Sequence, residues 1–135
     1  MEIAVNKCYG GFKLSEEAIL ELIKMNSDLV KKSKLSEWEK DGLDFSSRLE
    51  LFKDGFRKHR FYHLLEKDGE IYSYDRAYNY KNRTHQDLIK VIKKLKNKVN
   101  TSVSKIEIIQ IPDDVDWEID KYDGIESIHE KHRSW

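Results

Sequence analysis

The first fifteen residues constrain the fold of this chain more than any other stretch. Ile3-Ala4-Val5 is a short apolar run, Tyr9-Gly10-Gly11-Phe12 sets two glycines between two aromatics, and Ser15 precedes Glu16 and Glu17. Alternation of Ile3 and Val5 against Glu2, Ala4 and Asn6 predicts a strand over about residues 2–7. Glycine tolerates positive φ and carries no Cβ, so the pair predicts a sharp turn with amides free to face a ligand. Ser15 has the chemistry of a helix N-cap, and the two acids after it suit the positive end of the helix dipole. A strand, a glycine turn and a helix start in sequence predict a place where an anion or a planar ring is held.

Further along, Ile19, Leu22, Ile23, Leu29 and Val30 recur at helical spacing, with Asn26 on the same stripe. Lys31 and Lys32 suit a C-terminal end, so this helix is expected to reach about residue 32. Within 33–80, short helices are expected over 35–41, carrying Trp38, and over 47–58. Residues 61–65 and 70–74 read as a hairpin around Asp68-Gly69, a strong turn dipeptide, and 75–82 reads as loop. Thr84 opens a second helix, with Asp87 in a capping-box-like position and a stripe of Leu88, Val91, Ile92, Leu95 and Val99. Ile106, Ile108, Ile109 and Ile111 make a near-continuous apolar run, the pattern of a central strand, which Pro112 ends. Residues 115–120 alternate, Tyr122-Asp123-Gly124 turns the chain, and 125–133 is expected to form a last short helix. The order of elements predicts an α+β (mixed α/β) fold, a single domain over 1–135 with a small central sheet covered by helices. The segment 33–80 reads as a variable helical and hairpin insertion.

At 135 residues one domain suffices. Mean hydropathy is low at -0.77. Fifteen aromatics, three of them Trp, nevertheless supply core area, and a charged fraction of 37% accounts for the hydropathy. Net charge is +0, so bulk electrostatics selects no partner. Its distribution is uneven: residues 81–98 hold seven Lys or Arg against Asp87 alone, and 112–130 hold eight acids against Lys121 alone. Opposite charge in successive segments favours packing of one on the other, within a chain or between copies. The single Cys8 excludes an internal disulfide and a cysteine-rich zinc site, and fits a reducing cytoplasm. No apolar run approaches the ~20 residues of a membrane span, and no basic leader precedes the first strand. The abundance of Lys, Asn and Ile points to an AT-rich coding genome, as in low-GC bacteria and their phages.

The residues that carry chemistry give two kinds of candidate. Asp116, Glu118 and Asp120 share one strand face, a pattern that suits a hard cation and equally a solvated surface. His129 and His132, with Glu130 between them, have helical spacing for a shared metal or for general acid–base work, but no third ligand stands at a recognised spacing, which favours a surface or packing role. No HExxH, CxxC, Walker, GxGxxG or GxSxG pattern is present, so no catalytic residue, metal or cofactor is assigned. Around Gly10-Gly11, by contrast, Lys7 and Lys13 flank the turn, Tyr9 and Phe12 can stack on a base, and Arg83 precedes the second helix. An arginine there can grip a phosphate at two points. Lys90, Lys93, Lys94, Lys96 and Lys98 give that helix a basic stripe, but zero net charge, the acidic segment and the lack of interleaved aromatics weigh against nucleic acid.

Asn6 through Ser15, matching Asn-x-Cys-Tyr-Gly-Gly-Phe-x-Leu-Ser, resembles the start of a widespread family of small bacterial and phage proteins whose activity is not established. Residues 111–126 and 130–135, including Trp117-Glu118-Ile119-Asp120, Tyr122-Asp123-Gly124-Ile125-Glu126 and Glu130-Lys131-His132-Arg133-Ser134-Trp135, resemble its end. With the helix from Thr84, the resemblance spans about half the chain. The family's frequent phage setting implies, by analogy, an anti-defence protein. Similar small phage proteins are sponges, often oligomers, that withhold cyclic dinucleotides or cyclic ADP-ribose variants from host effectors. The expectation is therefore a cytoplasmic, homo-oligomeric protein, in the host cytoplasm if phage-encoded, that sequesters a small phosphorylated nucleotide without cleaving it. Gly10, Gly11 and Arg83 would hold phosphates, bordered by Asn6 and Lys7. Tyr9, Phe12 or Tyr122 would stack on the base, Asp123 would accept ribose hydroxyl protons, and His132, Arg133 and Trp135 would complete the pocket. Two alternatives stand beside it: a metal- or histidine-dependent enzyme degrading such a ligand, and an interaction module blocking a host protein through the basic helix or acidic tail.

Overall fold

A computed structural model describes residues 1–39, 50–52, 55–59 and 62–130. The fold is α+β. In chain order its elements are β1 (Glu2–Asn6), α1 (Glu16–Lys24), β2 (Lys31–Lys34), α2 (Leu35–Glu39), β3 (Glu50–Leu51), β4 (Arg57–His59), β5 (Leu64–Lys67), β6 (Glu70–Ser73), α3 (Gln86–Leu95), β7 (Ile106–Gln110), β8 (Trp117–Tyr122) and β9 (Ile125–Glu130). Short 3-10 turns lie at Asp75–Tyr78, Tyr80–Asn82 and Lys96–Val99. The strands form a five-stranded antiparallel sheet in the order β2-β6-β5-β4-β3 and two antiparallel ribbons, β1–β7 and β8–β9.

The β1–β7 ribbon is buried on both faces, and this determines the layering. Ala4 and Ile106 join the main core with Leu22 of α1 and Leu88, Val91 and Ile92 of α3. Ile3 and Val5 point the other way, into a second cluster with Ile119, Trp117 and Ile128 of the β8–β9 hairpin. Ile3, Ala4, Val5 and Asn6 are accordingly all fully buried. The five-stranded sheet adds Leu65 and Tyr72 to the main core, while Leu64 and Ile71 on its opposite face pack under Leu35 and Trp38 of α2.

Local chemistry explains the element ends that follow expectation. Ser15 caps α1 by accepting from the Ala18 amide at 3.2 Å. Asp68-Gly69 and Asp123-Gly124 both adopt left-handed φ, the pattern of a two-residue hairpin turn. The second long helix starts one residue later than expected, because His85 rather than Thr84 is the cap, its Nδ1 accepting from the Asp87 amide at 3.1 Å.

Other expectations are corrected. Helix α1 stops at Lys24, and Lys31–Lys34 is a strand. Asn26 takes φ 55°, the Ser27 amide donates to Leu22 O and the Asn26 amide to Ile23 O, a Schellman closure that satisfies the last carbonyls. Leu29 then re-enters the same core from outside the helix, which is why it fits the helical stripe. Residues 50–51 and 57–58 are paired strands rather than helix, with Gly55 at φ 82° turning the chain between them. Residues 40–41, 47–49 and 53–54 of the two expected short helices, and Phe61, lie outside the described residues. Residues 75–82 form 3-10 turns rather than open loop. Among the described residues β7 pairs only with β1, so its isoleucines reflect burial between the helices and the hairpin, not a central place in a sheet. Ile125–Glu130 is a strand, so His129 does not lie on a helix.

Candidate functional site

The glycine turn is built as a joint between the two ends of the chain. Asn6, fully buried, makes it rigid: its side-chain amide donates to the carbonyls of Cys8 and Gly124, and its oxygen accepts from the amides of Cys8 and Lys105. Gly10 lies so close to Val103 that a Cβ would fall 2.0 Å from the Val103 carbonyl oxygen. Gly124, at φ +83°, lies against the backbone of Tyr9 and Gly11 in the same way. Gly11 has open space but φ +88°, and its amide donates to Cys8 O at 3.3 Å. Gly10 and Gly124 are there for chain crossing, and Gly11 for its left-handed turn.

Arg83 is 2% exposed, and its guanidinium is engaged within the protein. Nη1 donates to Glu126 Oε1 at 2.6 Å and Nη2 to Glu126 Oε2 at 2.9 Å. The same nitrogens reach Ala4 O at 3.3 Å and Tyr78 O at 3.1 Å, and the group lies 3.6 Å over the Phe12 ring. Glu126 also accepts from the Asn6 amide at 2.8 Å, while Lys7 Nζ donates to its carbonyl at 2.9 Å. The guanidinium therefore closes on Glu126 instead of standing open to a phosphate at Gly10 and Gly11. Phe12 is buried edge-on against Tyr78, whereas Tyr9 and Tyr122 are exposed, and Asp123 forms the hairpin turn. His132, Arg133 and Trp135 lie outside the described residues. Glu126 was missed by sequence reasoning. The signal was available: counted back from Ile128 at the strand period, it falls on the inward face, where an acid needs a buried cation.

The joint shapes a neighbouring cleft. Val103, seated on Gly10, belongs to a loop fixed by Ser104, whose hydroxyl donates to Lys13 O at 2.7 Å and accepts from the Thr101 amide at 2.9 Å. That loop forms one wall of a cavity of about 330 Å³. The opposite wall is aromatic: His63 stacks on Tyr78 with centroids 4.4 Å apart and planes 20° apart, and Tyr74 tilts against both. His63 holds φ 48°, a left-handed conformation that a non-glycine residue adopts at some cost. Burial lowers the His63 pKa against the opposing pull of Asp75, and burial raises those of Tyr74 and Tyr78. All three rings are thus neutral near pH 7. Lys13, Lys58 and Glu16 border the same cavity, Lys58 lying 4.7 Å over Phe52 and paired with the Glu16 carboxylate at 3.2 Å. Stacking surface with ammonium groups beside it can hold a flat, negatively charged molecule.

The chemistry expected of the acidic strand face takes a different form. Glu118 and Asp120 point outward on β8, opposite His129 and Ser127 on β9. Ser127 Oγ and Asp120 Oδ2 both meet the same nitrogen of His129, Nε2, at 3.0 and 3.1 Å. A serine–histidine–aspartate relay uses both ring nitrogens, so these three do not form one. Among the described residues, no group of three His, Cys, Asp or Glu side chains is placed to hold a metal ion. No helix among them is long and apolar enough to cross a membrane. No known family model, curated protein or solved structure matches the chain.

Proposed function

We infer that this chain binds a small phosphorylated nucleotide or nucleotide-derived signal in the His63/Tyr74/Tyr78 cleft and withholds it without cleaving it. The observation that carries this reading is the neutral His63–Tyr78 stack facing the same cavity as Lys13 and Lys58. A base needs a flat apolar wall and a phosphate needs cations beside it, and these residues supply both. The glycine turn serves indirectly, since Gly10 lets Val103 sit where it walls the cavity. The resemblance of the two chain ends to phage proteins supplies the setting, removal of an immune signal from host effectors.

The test is a thermal-shift panel of cyclic dinucleotides, cyclic ADP-ribose isomers, ATP, AMP and inorganic phosphate. A ligand that binds only the native state raises Tm by mass action, about 2.7 kcal/mol at a hundredfold excess over Kd. Lys13→Ala with Lys58→Gln is expected to abolish the shift while leaving the unliganded Tm within a few degrees. Chromatography of the recovered ligand should return it intact. No shift across the panel overturns the reading, and a cleaved ligand replaces sequestration with catalysis.

A further inference from the structure

Among the described residues β2 and β8 each have a hydrogen-bonded neighbour on one side only: β2 ends the five-stranded sheet beside β6, and β8 pairs with β9. A strand with an open side presents N–H and C=O groups that another strand can satisfy. These two open strands carry opposite charge. β2 is Lys31-Lys32-Ser33-Lys34 with all three lysines exposed. Among the described residues Lys32 pairs with Glu70 at 2.8 Å, while Lys31 and Lys34 have no ion-pair partner. β8 turns Ile119 inward and presents Glu118, Asp120 and Tyr122 outward, with Tyr122 81% exposed. Asp120 faces His129 at 3.1 Å, and Glu118 has no ion-pair partner among the described residues.

The spacing matches as well as the sign. Lys32 and Lys34 share one face of β2 and Glu118 and Asp120 share one face of β8, each pair two residues apart. Like charge opposes pairing of β2 with β2 or of β8 with β8, which leaves the unlike combination. A trough of about 770 Å³ lies against β2, bordered by Lys31, Lys34 and Arg76 and also by the acids Glu37, Glu70 and Asp75. The lysines of α3 are weaker candidates, because a helix has no strand edge to offer β8, and Lys93 and Lys94 are paired with Glu2 and Glu21. We propose that β2 of one copy adds alongside β8 of a second copy, so that the chain assembles head to tail through two different surfaces. Such an interface is heterologous and either closes into a ring or extends.

Size-exclusion chromatography with light scattering tests this through charge exchange. At about 50 mM salt the wild type should exceed the monomer mass, and at about 500 mM it should return to monomer. Lys31→Glu/Lys32→Glu/Lys34→Glu and Glu118→Lys/Asp120→Lys should each be monomeric, with circular dichroism matching the wild type. Mixing the two variants should restore assembly, because each then offers the other an unlike strand on both surfaces. A wild type that stays monomeric at low salt overturns the proposal. So does assembly that survives both exchanges, a mixture that stays monomeric, or loss of assembly on Lys90→Glu/Lys94→Glu alone.

Discussion

Arg83 and Glu126, 43 residues apart, meet through a buried two-point ion pair with arms of 2.6 and 2.9 Å. Neither group reaches solvent, and the pair draws the strand after the hairpin turn onto the first strand of the chain. Desolvation makes such a pair costly to half-remove, whereas removing both charges is tolerated far better. Arg83→Met alone or Glu126→Leu alone should each lose about 3–5 kcal/mol in urea denaturation. The double substitution should recover most of that loss. If the double variant is as unstable as the sum of the singles, the two residues do not act as a pair.

The glycines at the joint should rank by what surrounds them. Gly10→Ala and Gly124→Ala place a Cβ 2.0 Å from Val103 O and 2.3 Å from Tyr9 O, so backbone has to move. Gly11→Ala meets open space and strains only φ, at a cost of about 1 kcal/mol. Thermal melts should therefore place Gly11→Ala well above the other two. Equal losses at all three would count against the close packing of Val103 on Gly10.

His63 should give stability a pH dependence of definite sign. Burial lowers its native pKa below the ordinary value of 6.5. Between those two values the unfolded chain binds a proton that the native ring does not, so stability is full above about pH 6.5 and falls as pH drops through that window. His63→Phe keeps the stack and removes the proton, and should flatten Tm against pH between 5 and 7. The separate loss from Glu66, whose pKa Arg57 holds down, begins only below its ordinary 4.5 and should persist in that variant.

At the end of α1, Asn26 sits in the left-handed position that glycine occupies most cheaply. Asn26→Gly should leave stability within about 0.5 kcal/mol, and Asn26→Val should cost about 1–2 kcal/mol by the strain of a β-branched residue there. Chemical denaturation distinguishes them. A valine variant as stable as the glycine variant would show that the Schellman closure is not needed.

What was legible in the sequence is what neighbouring residues decide among themselves. Ser15 with Glu16 and Glu17, the Asp68-Gly69 turn, and the stripe from Leu88 to Leu95 each carry their signal within a few residues and are found as expected. The helix expected to run on to Val99 instead ends at Leu95, where Lys96 at φ 53° passes the chain into a 3-10 turn. The errors arose where distant packing chose between two local readings. Ile125 and Ile128 fit a helical spacing, but Ile119 across the hairpin and Ile3 and Val5 beneath make Ile125–Glu130 a strand. Leu29 and Val30 fit the α1 stripe, yet Asn26 had already turned the chain. Arg83 is expected from the sequence to hold a ligand phosphate at two points, whereas its guanidinium holds the Glu126 carboxylate in that way. The signal for Glu126 lies in its own strand, two residues before Ile128, and not in the neighbours of Arg83.

The long reach of that pair also sets the order in which the molecule can become complete. During synthesis α3 and both flanking strands β1 and β7 emerge before Glu126, so the cation destined for their interior has no counter-charge until the final hairpin arrives. A chain cut short of that hairpin would carry a stranded guanidinium and an uncovered apolar face formed by Ile3 and Val5. Full-length product and truncated product would then differ sharply in their fate, the one compact and the other exposed to proteases.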